Sequence, residues 1–229
     1  MEAILLAGGF GTRLKHIVKD VPKPMADISG KPFLEYVFDY LLKENIKRVI
    51  MAVHYKKECI MDYFGENYCG ISIQYSVEET PLFTGGAIKK ALSLCTEDHI
   101  WVINGDTYFQ VPLKAMKDFC IAEDVCAAIA VKRMTHFSRY GKVEMNDNNR
   151  ITAFCEKAPC EEGYINGGIY YIPKTLLNDY PEKFSLENDC FPQLLNEGKI
   201  AGYKSDGYFI DIGVPEDYYA AQKYFSAKF

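Results

Sequence analysis

The sequence predicts an α/β protein: a mixed, mainly parallel sheet flanked by helices, with a smaller β-rich lobe on one side. Three observations point there. Between Ala3 and Val131 short β-rich runs alternate with amphipathic helical stretches, the rhythm of a parallel sheet covered on both faces. The first apolar run opens into a glycine-rich loop, Gly8-Gly9-Phe10-Gly11-Thr12-Arg13. Past Val131 the rhythm changes to strands joined by turns.

The elements follow in order. Ala3 to Ala7 is the first strand. Pro32 can open a helix whose apolar positions Leu34, Val37, Phe38, Leu41 and Leu42 keep helical spacing, while Glu35, Asp39 and Lys43 face away. Arg48 to Val53 reads as a strand, Lys56 to Phe64 as a helix and Ile71 to Val77 as a strand. The turn-rich stretch Glu78 to Gly86 then leads into a helix marked by Ala87, Ile88, Ala91, Leu92 and Cys95. A strand at Ile100 to Ile103 ends in Asn104-Gly105-Asp106, and a helix at Leu113 to Ala122 precedes a strand at Val125 to Val131. Gly141 to Met145 and Ile151 to Cys155, joined by Asp147-Asn148-Asn149, predict a hairpin. Tyr164 to Tyr170 alternates as a strand, Phe184 to Leu195 reads as a helix, and a strand near Tyr208 to Asp211 leads into a helix begun at Pro215.

No linker composition interrupts the 229 residues, so a single domain is expected. Within it, about 1–132 forms one half, about 133–205 the lobe, and about 206–229 a closing strand and helix. The net charge of -5, with dispersed lysines, speaks against nucleic-acid partners, which need a basic face. No signal-peptide pattern and no apolar run of membrane-spanning length is present, so a cytoplasmic protein with no membrane partner is expected. Eight cysteines without a C-x-x-C pair predict reduced thiols, with neither a zinc site nor a disulfide framework.

The glycine-rich loop carries the chemistry. Without side chains its backbone N–H groups can converge on an anion, and phosphate is the natural guest. Arg13 adds a fork of donors, and Lys23, held between Pro22 and Pro24, adds a point charge from a stiff segment. Two better-known phosphate loops do not fit. Leu14 stands where G-x-G-x-x-G needs its third glycine, and Thr12-Arg13 stands where a Walker loop needs Lys followed by Ser or Thr. A glycine-rich turn with two solvated cations is the plainer alternative.

The stretch LAGGFGTRL followed by PKPM resembles the signature of the sugar-1-phosphate nucleotidyltransferases, and the likeness runs from Met1 to about Tyr219. It implies a Rossmann-like nucleotide-diphospho-sugar transferase fold. It also implies nucleotide contacts from Leu6, Ala7, Gly8, Gly9, Gly11, Thr12, Arg13 and Lys23. Thr84 and Gly85 would pack near base and ribose, although Thr84 as a helix N-cap is the simpler alternative. This chain carries Phe83 where the family more often has glycine. Asn104, Gly105 and Asp106 would border the ribose and phosphates. The resemblance makes Asp106 and Asp211 the ligands of one magnesium ion, and a carboxylate ending a buried strand is itself costly unless paired or metal-bound. In the lobe it assigns Tyr140, Gly141, Glu156, Lys157, Asn166 and Gly168 to the sugar phosphate, with Lys157 on the phosphate. By composition alone Glu156-Lys157 is a solvated pair and Asn166 a strand-bulge residue.

The implied reaction is attack by a sugar 1-phosphate oxygen on the α-phosphorus of a nucleoside triphosphate. The nucleophile is already anionic, so no general base is required and charge neutralisation is the main task. Arg13, Lys23, Asp106 and Lys157 are the expected catalytic residues. Glu78 aligns with the base-reading position, where an ionised carboxylate accepts from the two adjacent donors of guanine, which favours GTP; Glu79 is the alternative reader. With GTP, the stretches KDVPKPMADI and VEETPLFTGGA are most similar to the branch acting on D-glycero-α-D-manno-heptose 1-phosphate. Mannose-1-phosphate guanylyl and glucose-1-phosphate thymidylyl transfer are the alternatives. No β-helical or regulatory extension is expected. A non-catalytic nucleotide-sensing subunit is disfavoured, because Arg13, Lys23, Asp106, Lys157 and Asp211 are all present. Aromatic richness is compatible with a homo-oligomer.

Overall fold

A computed structural model of the chain describes residues 1–228 apart from Phe10, Thr12, Arg13 and Lys15. The first strands are β1 (Glu2–Leu6), β2 (Asp27–Ile28), β3 (Lys31–Pro32), β4 (Arg48–Val53), β5 (Asn67–Tyr68), β6 (Ile71–Val77) and β7 (His99–Asn104). They are followed by β8 (Thr107–Phe109), β9 (Ala127–Phe137), β10 (Gly141–Met145), β11 (Ile151–Lys157), β12 (Cys160–Pro173), β13 (Ile200–Lys204) and β14 (Phe209–Asp211). The α-helices are α1 (Phe33–Lys43), α2 (Lys57–Phe64), α3 (Phe83–Leu92), α4 (Leu113–Ala122), α5 (Phe191–Asn196) and α6 (Pro215–Lys228). No helix among the described residues is long and apolar enough to cross a membrane.

A ten-stranded sheet forms the frame, in the order β11-β10-β12-β7-β1-β4-β6-β5, with β9 on β12 and β13 on β9. β1 pairs in parallel with β4 and β7, and β4 with β6, while β12 runs antiparallel to β7. Both faces are covered. Ala3 and Leu5 of β1 point into the layer built with α1, α2 and α6, and Ile4 into the layer built with α3 and α5. This two-sided burial explains why the central strands read as unbroken apolar runs. On the first face Phe38 stacks on Phe64 with centroids 4.8 Å apart, and Tyr36 on Phe225 at 4.0 Å. Each such ring, taken fully out of water, contributes about 2–3 kcal/mol.

At the end of β1 opposite the glycine loop, Glu2 is only 4% exposed. Its carboxylate accepts the N–H groups of Thr96 (2.7 Å) and Glu97 (2.9 Å) and the Thr96 hydroxyl (2.7 Å), and pairs with Arg48. Burial by itself raises the pKa of this carboxyl, but those donors outweigh it and hold it down to about 2.

Several elements differ from the sequence expectation, each for a local reason. α3 begins at Phe83 and not at Ala87, because Gly85 and Gly86 fold onto residues 182–184. The stretch expected as one helix from Phe184 is a π-helical turn, Leu186–Cys190, followed by α5; Pro192 in the first turn of α5 has no N–H to donate backwards. β9 and β12 outrun their predicted ends because they pair with each other from Cys160–Phe137 to Tyr171–Ala128. β13 was not expected, and lies parallel to β9.

Candidate active site

The strand ends converge on one cavity of about 930 Å³. Leu6, Gly8, Gly9 and Gly11 line one wall, so the loop lies where strand order predicts a ligand crevice. Gly11 has φ +58°, and a Cβ there would stand 2.8 Å from Lys23 Cβ, so a glycine is what lets the loop lie against the lysine. Thr12 and Arg13 lie outside the described residues. Ala7 is buried and does not line the cavity; its N–H is bonded to Ala52.

Lys23 opens a single 3-10 turn, Lys23–Met25, after Pro22. Its ammonium lies 2.7 Å from Asp106 Oδ2 and 3.3 Å from Asp211 Oδ1. The two aspartates, far apart in the chain, meet because β14 forms a short antiparallel ladder with β8 directly after Asp106, setting Asp211 opposite Thr107. The Ile212 N–H donates to the Asp106 carbonyl and fastens the junction at 3.1 Å. The Lys23 side chain is 11% exposed, so its charge needs partners. Burial lowers its pKa, but Asp106 and Asp211 more than offset this and leave it above the ordinary lysine value. Asp211 is pushed up, first by burial and then by the charge of Asp106, with Lys23 opposing. Such a carboxylate pair calls for a cation.

The donor set fits magnesium, which takes one or two carboxylates and completes its shell with water and phosphate oxygens. Among the described residues no cluster of three or more His, Cys, Asp or Glu could hold a metal.

At the other end of the cavity Glu78 follows β6 and is 7% exposed. Its Oε2 accepts the Leu82 N–H at 3.0 Å, and its Oε1 would be 3.2 Å from a Cβ on Gly8. Burial raises its pKa, against the opposing pull of the Leu82 N–H, His54 and Lys90. His54 Nδ1 donates to the Glu78 carbonyl at 2.8 Å and lines the same cavity. It was missed in the sequence, although its place directly after β4 was the available signal.

Thr84 lines the cavity from the first turn of α3, and Leu82 is the N-cap, so the capping alternative for Thr84 falls. The Thr84 hydroxyl donates to Glu187 Oε2 at 2.7 Å and accepts the Leu186 N–H at 3.1 Å. Gly85 and Gly105 do not line the cavity. A Cβ on Gly85 would run into the Phe184 ring, and one on Gly105 would stand 2.7 Å from the Leu6 carbonyl, so packing accounts for both glycines. Asn104 does line it, and a Cβ on Gly168 would meet Asn104 Nδ2 at 2.6 Å. The π-helical turn supplies a polar wall, Ser185, Glu187, Asn188 and Asp189, that the sequence did not reveal.

The lobe residues sit differently. Gly141 pairs with Lys157 in the hairpin register, which puts Tyr140-Gly141 beside Glu156-Lys157 at its open end. Glu156 and Lys157 are exposed, and neither lines the cavity. Tyr140 borders the aspartates: burial, then the charge of Asp211, raises its phenol pKa. Asn166 is a bulge residue, with Nδ2 donating to the Tyr170 hydroxyl at 3.0 Å and Oδ1 accepting the Gly168 N–H at 2.9 Å.

A mainly parallel sheet, a glycine loop at its carboxyl edge and a lysine between two carboxylates define a nucleotidyl transferase. Residues 2–228 match the Nucleotidyl transferase family, and the chain belongs to it. It is 49% identical over 225 residues to D-glycero-alpha-D-manno-heptose 1-phosphate guanylyltransferase of Aneurinibacillus thermoaerophilus, covering 97% of each chain. Its identity to the protein of the same name from Campylobacter jejuni is 48% over 221 residues, covering 96% of this chain and 97% of that one. Among solved structures it is similar to HddC from Yersinia pseudotuberculosis complexed with GMP-PN, with a TM-score of 0.87, 37% identity, and 98% and 99% of the two chains covered.

Proposed function

We propose that this chain is a D-glycero-α-D-manno-heptose 1-phosphate guanylyltransferase, which joins GTP and the heptose 1-phosphate into GDP-heptose and releases pyrophosphate. The observation that carries the reading is Lys23 held between Asp106 and Asp211 beside Gly11, in one cavity with Glu78. The two relatives near half identity bear the name of this activity, and the similar structure of HddC is a complex with GMP-PN.

A phosphate oxygen of the sugar 1-phosphate forms a new bond to the α-phosphorus, and the bond to the α,β-bridging oxygen breaks as pyrophosphate leaves. Amides of Gly8, Gly9 and Gly11, with Arg13 on the same loop, take the leaving phosphates. Lys23 turns its ammonium to the α- and β-phosphates. Asp106 and Asp211 would hold a magnesium ion, which would supply positive charge to the phosphate oxygens. Glu78 accepts from the guanine edge, and Asn104 and Thr84 border the nucleoside. On the lobe, Tyr140-Gly141 and Glu156-Lys157, with Asn166 and Gly168 behind them, receive the sugar phosphate. The eight cysteines have no disulfide partners, in keeping with a reducing compartment and a cytoplasmic reaction.

Pyrophosphate release with magnesium, across a panel of nucleoside triphosphates and sugar 1-phosphates, tests class, base and sugar together. The expected result is selective turnover of GTP with the heptose 1-phosphate. Release with dTTP and glucose 1-phosphate in its place would overturn the assignment.

A further inference from the structure

Phe83 opens α3 with φ +61°, a left-handed conformation that bulky side chains avoid. The other non-glycine residues with positive φ among the described ones are polar or small. Its neighbours impose the conformation. The Phe184 N–H donates to the Leu82 carbonyl at 3.3 Å, and the N–H groups of Gly85 and Gly86 both donate to the Phe184 carbonyl, at 3.1 and 3.2 Å. The two glycines allow this approach, since a Cβ on Gly86 would run into the Glu182 carbonyl. A glycine at position 83 would take the same φ without steric cost, so what this position adds is the ring.

That ring is 60% exposed and lines the cavity. Lys183 Nζ lies 4.9 Å from its centroid, a cation over the π-face of an aromatic that the core does not enclose. The position is fixed relative to Glu78, because Leu82, the preceding residue, gives its N–H to the Glu78 carboxylate. We propose that Phe83 is an aromatic platform on which the nucleobase of the incoming triphosphate stacks, while Glu78 reads the edge of that base. The inference rests on the guanylyl-transfer reading and deepens it. Stacking on an aromatic face is tolerant of base identity, so Phe83 supplies affinity and Glu78 supplies choice.

The test is calorimetric binding of GTP with magnesium and no sugar phosphate, together with thermal midpoints, for the wild type, Phe83→Tyr, Phe83→Ala and Phe83→Gly. Phe83→Tyr is expected to bind like the wild type, while Phe83→Ala and Phe83→Gly both lose about fivefold or more. Alanine keeps the backbone strain and glycine removes it, so a merely structural role would make affinity follow the midpoints, with Phe83→Gly better than Phe83→Ala. That pattern, or unchanged GTP affinity in both, would overturn the platform, as would a loss confined to KM for the sugar phosphate. Ring-dependent GTP binding by a wild type that releases no pyrophosphate would sink the transfer reading and leave the platform standing.

Discussion

Lys23 and Asp106 lie 83 positions apart in the chain and 2.7 Å apart in space, nitrogen to oxygen. The ammonium stands where the site concentrates negative charge, and it neutralises two carboxylates before any substrate arrives. Removing it therefore has two separable effects. Lys23→Ala is expected to lower kcat by about 100-fold or more while GTP affinity changes far less, because its charge matters most as the reaction proceeds. Without added metal the variant also loses about 1–2 kcal/mol of stability, a figure discounted for the partial exposure of Asp106, and magnesium restores it. Wild-type turnover with weakened GTP binding would take Lys23 out of the chemistry.

Glu78→Gln exchanges an acceptor for a mixed donor and acceptor, at a position with one oxygen already engaged by Leu82. The preference for GTP over dTTP is expected to fall by about 1–3 kcal/mol. Since burial raises the pKa of this carboxyl, wild-type preference for GTP should also weaken as pH falls toward that raised value, where the acceptor becomes protonated. An unchanged ratio of the two nucleotides in the variant rules out Glu78 as reader.

Of the glycines that line the cavity, Gly9 is the one whose missing Cβ faces nothing within 4 Å among the described residues. Among the described residues Gly9→Ala meets no neighbour to displace, so stability is expected to stay within about 0.5 kcal/mol of the wild type. The methyl group enters the space assigned to the triphosphate, and GTP affinity is expected to drop about tenfold or more. Urea unfolding and nucleotide titration give the two numbers; a destabilised variant with normal affinity would mean that the loop serves packing.

Far from the cavity, Glu2 sets an acid limit. Its carboxyl titrates near 4.5 when unfolded and about 2 when folded, a gap corresponding to about 3 kcal/mol. That contribution is complete above the unfolded value and is lost as pH falls through the folded one. Glu2→Gln should be less stable by about that amount at neutral pH and show a flatter stability profile between pH 4.5 and 2, as read by denaturant midpoints. Parallel profiles would place the acid sensitivity elsewhere.

The legible parts of the sequence were the local ones. β4, β6 and α4 carry their boundaries in their apolar periodicity, and the glycine loop and Lys23 stand out by residue type as places for an anion, whereas Glu78 is singled out only by alignment with the resembled family. What depended on distant partners was hidden. The far ends of β9 and β12 are polar enough to read as loop, and exist as strand because each completes the other's hydrogen bonds. Asp211 could be named from family resemblance, but the β8–β14 ladder that brings it to Asp106 has no signal in either short segment. Gly85 and Gly105 looked like ligand glycines, and a glycine spared a collision with Phe184 or Leu6 reads the same as one that admits a ribose. The polar wall from Ser185 to Asp189 was disguised by an expected ordinary helix.

One long strand, β12, runs beside β7 through Ile169–Pro173 and beside β10 through Tyr164–Ile165. The parallel sheet from which the glycine loop emerges and the hairpin that carries Glu156 and Lys157 are thus joined through one continuous strand, so a change in β12 reaches both. Its pairing with β9 slips between Asn166 and Tyr170, the stretch where the strand passes from one of these neighbours to the other.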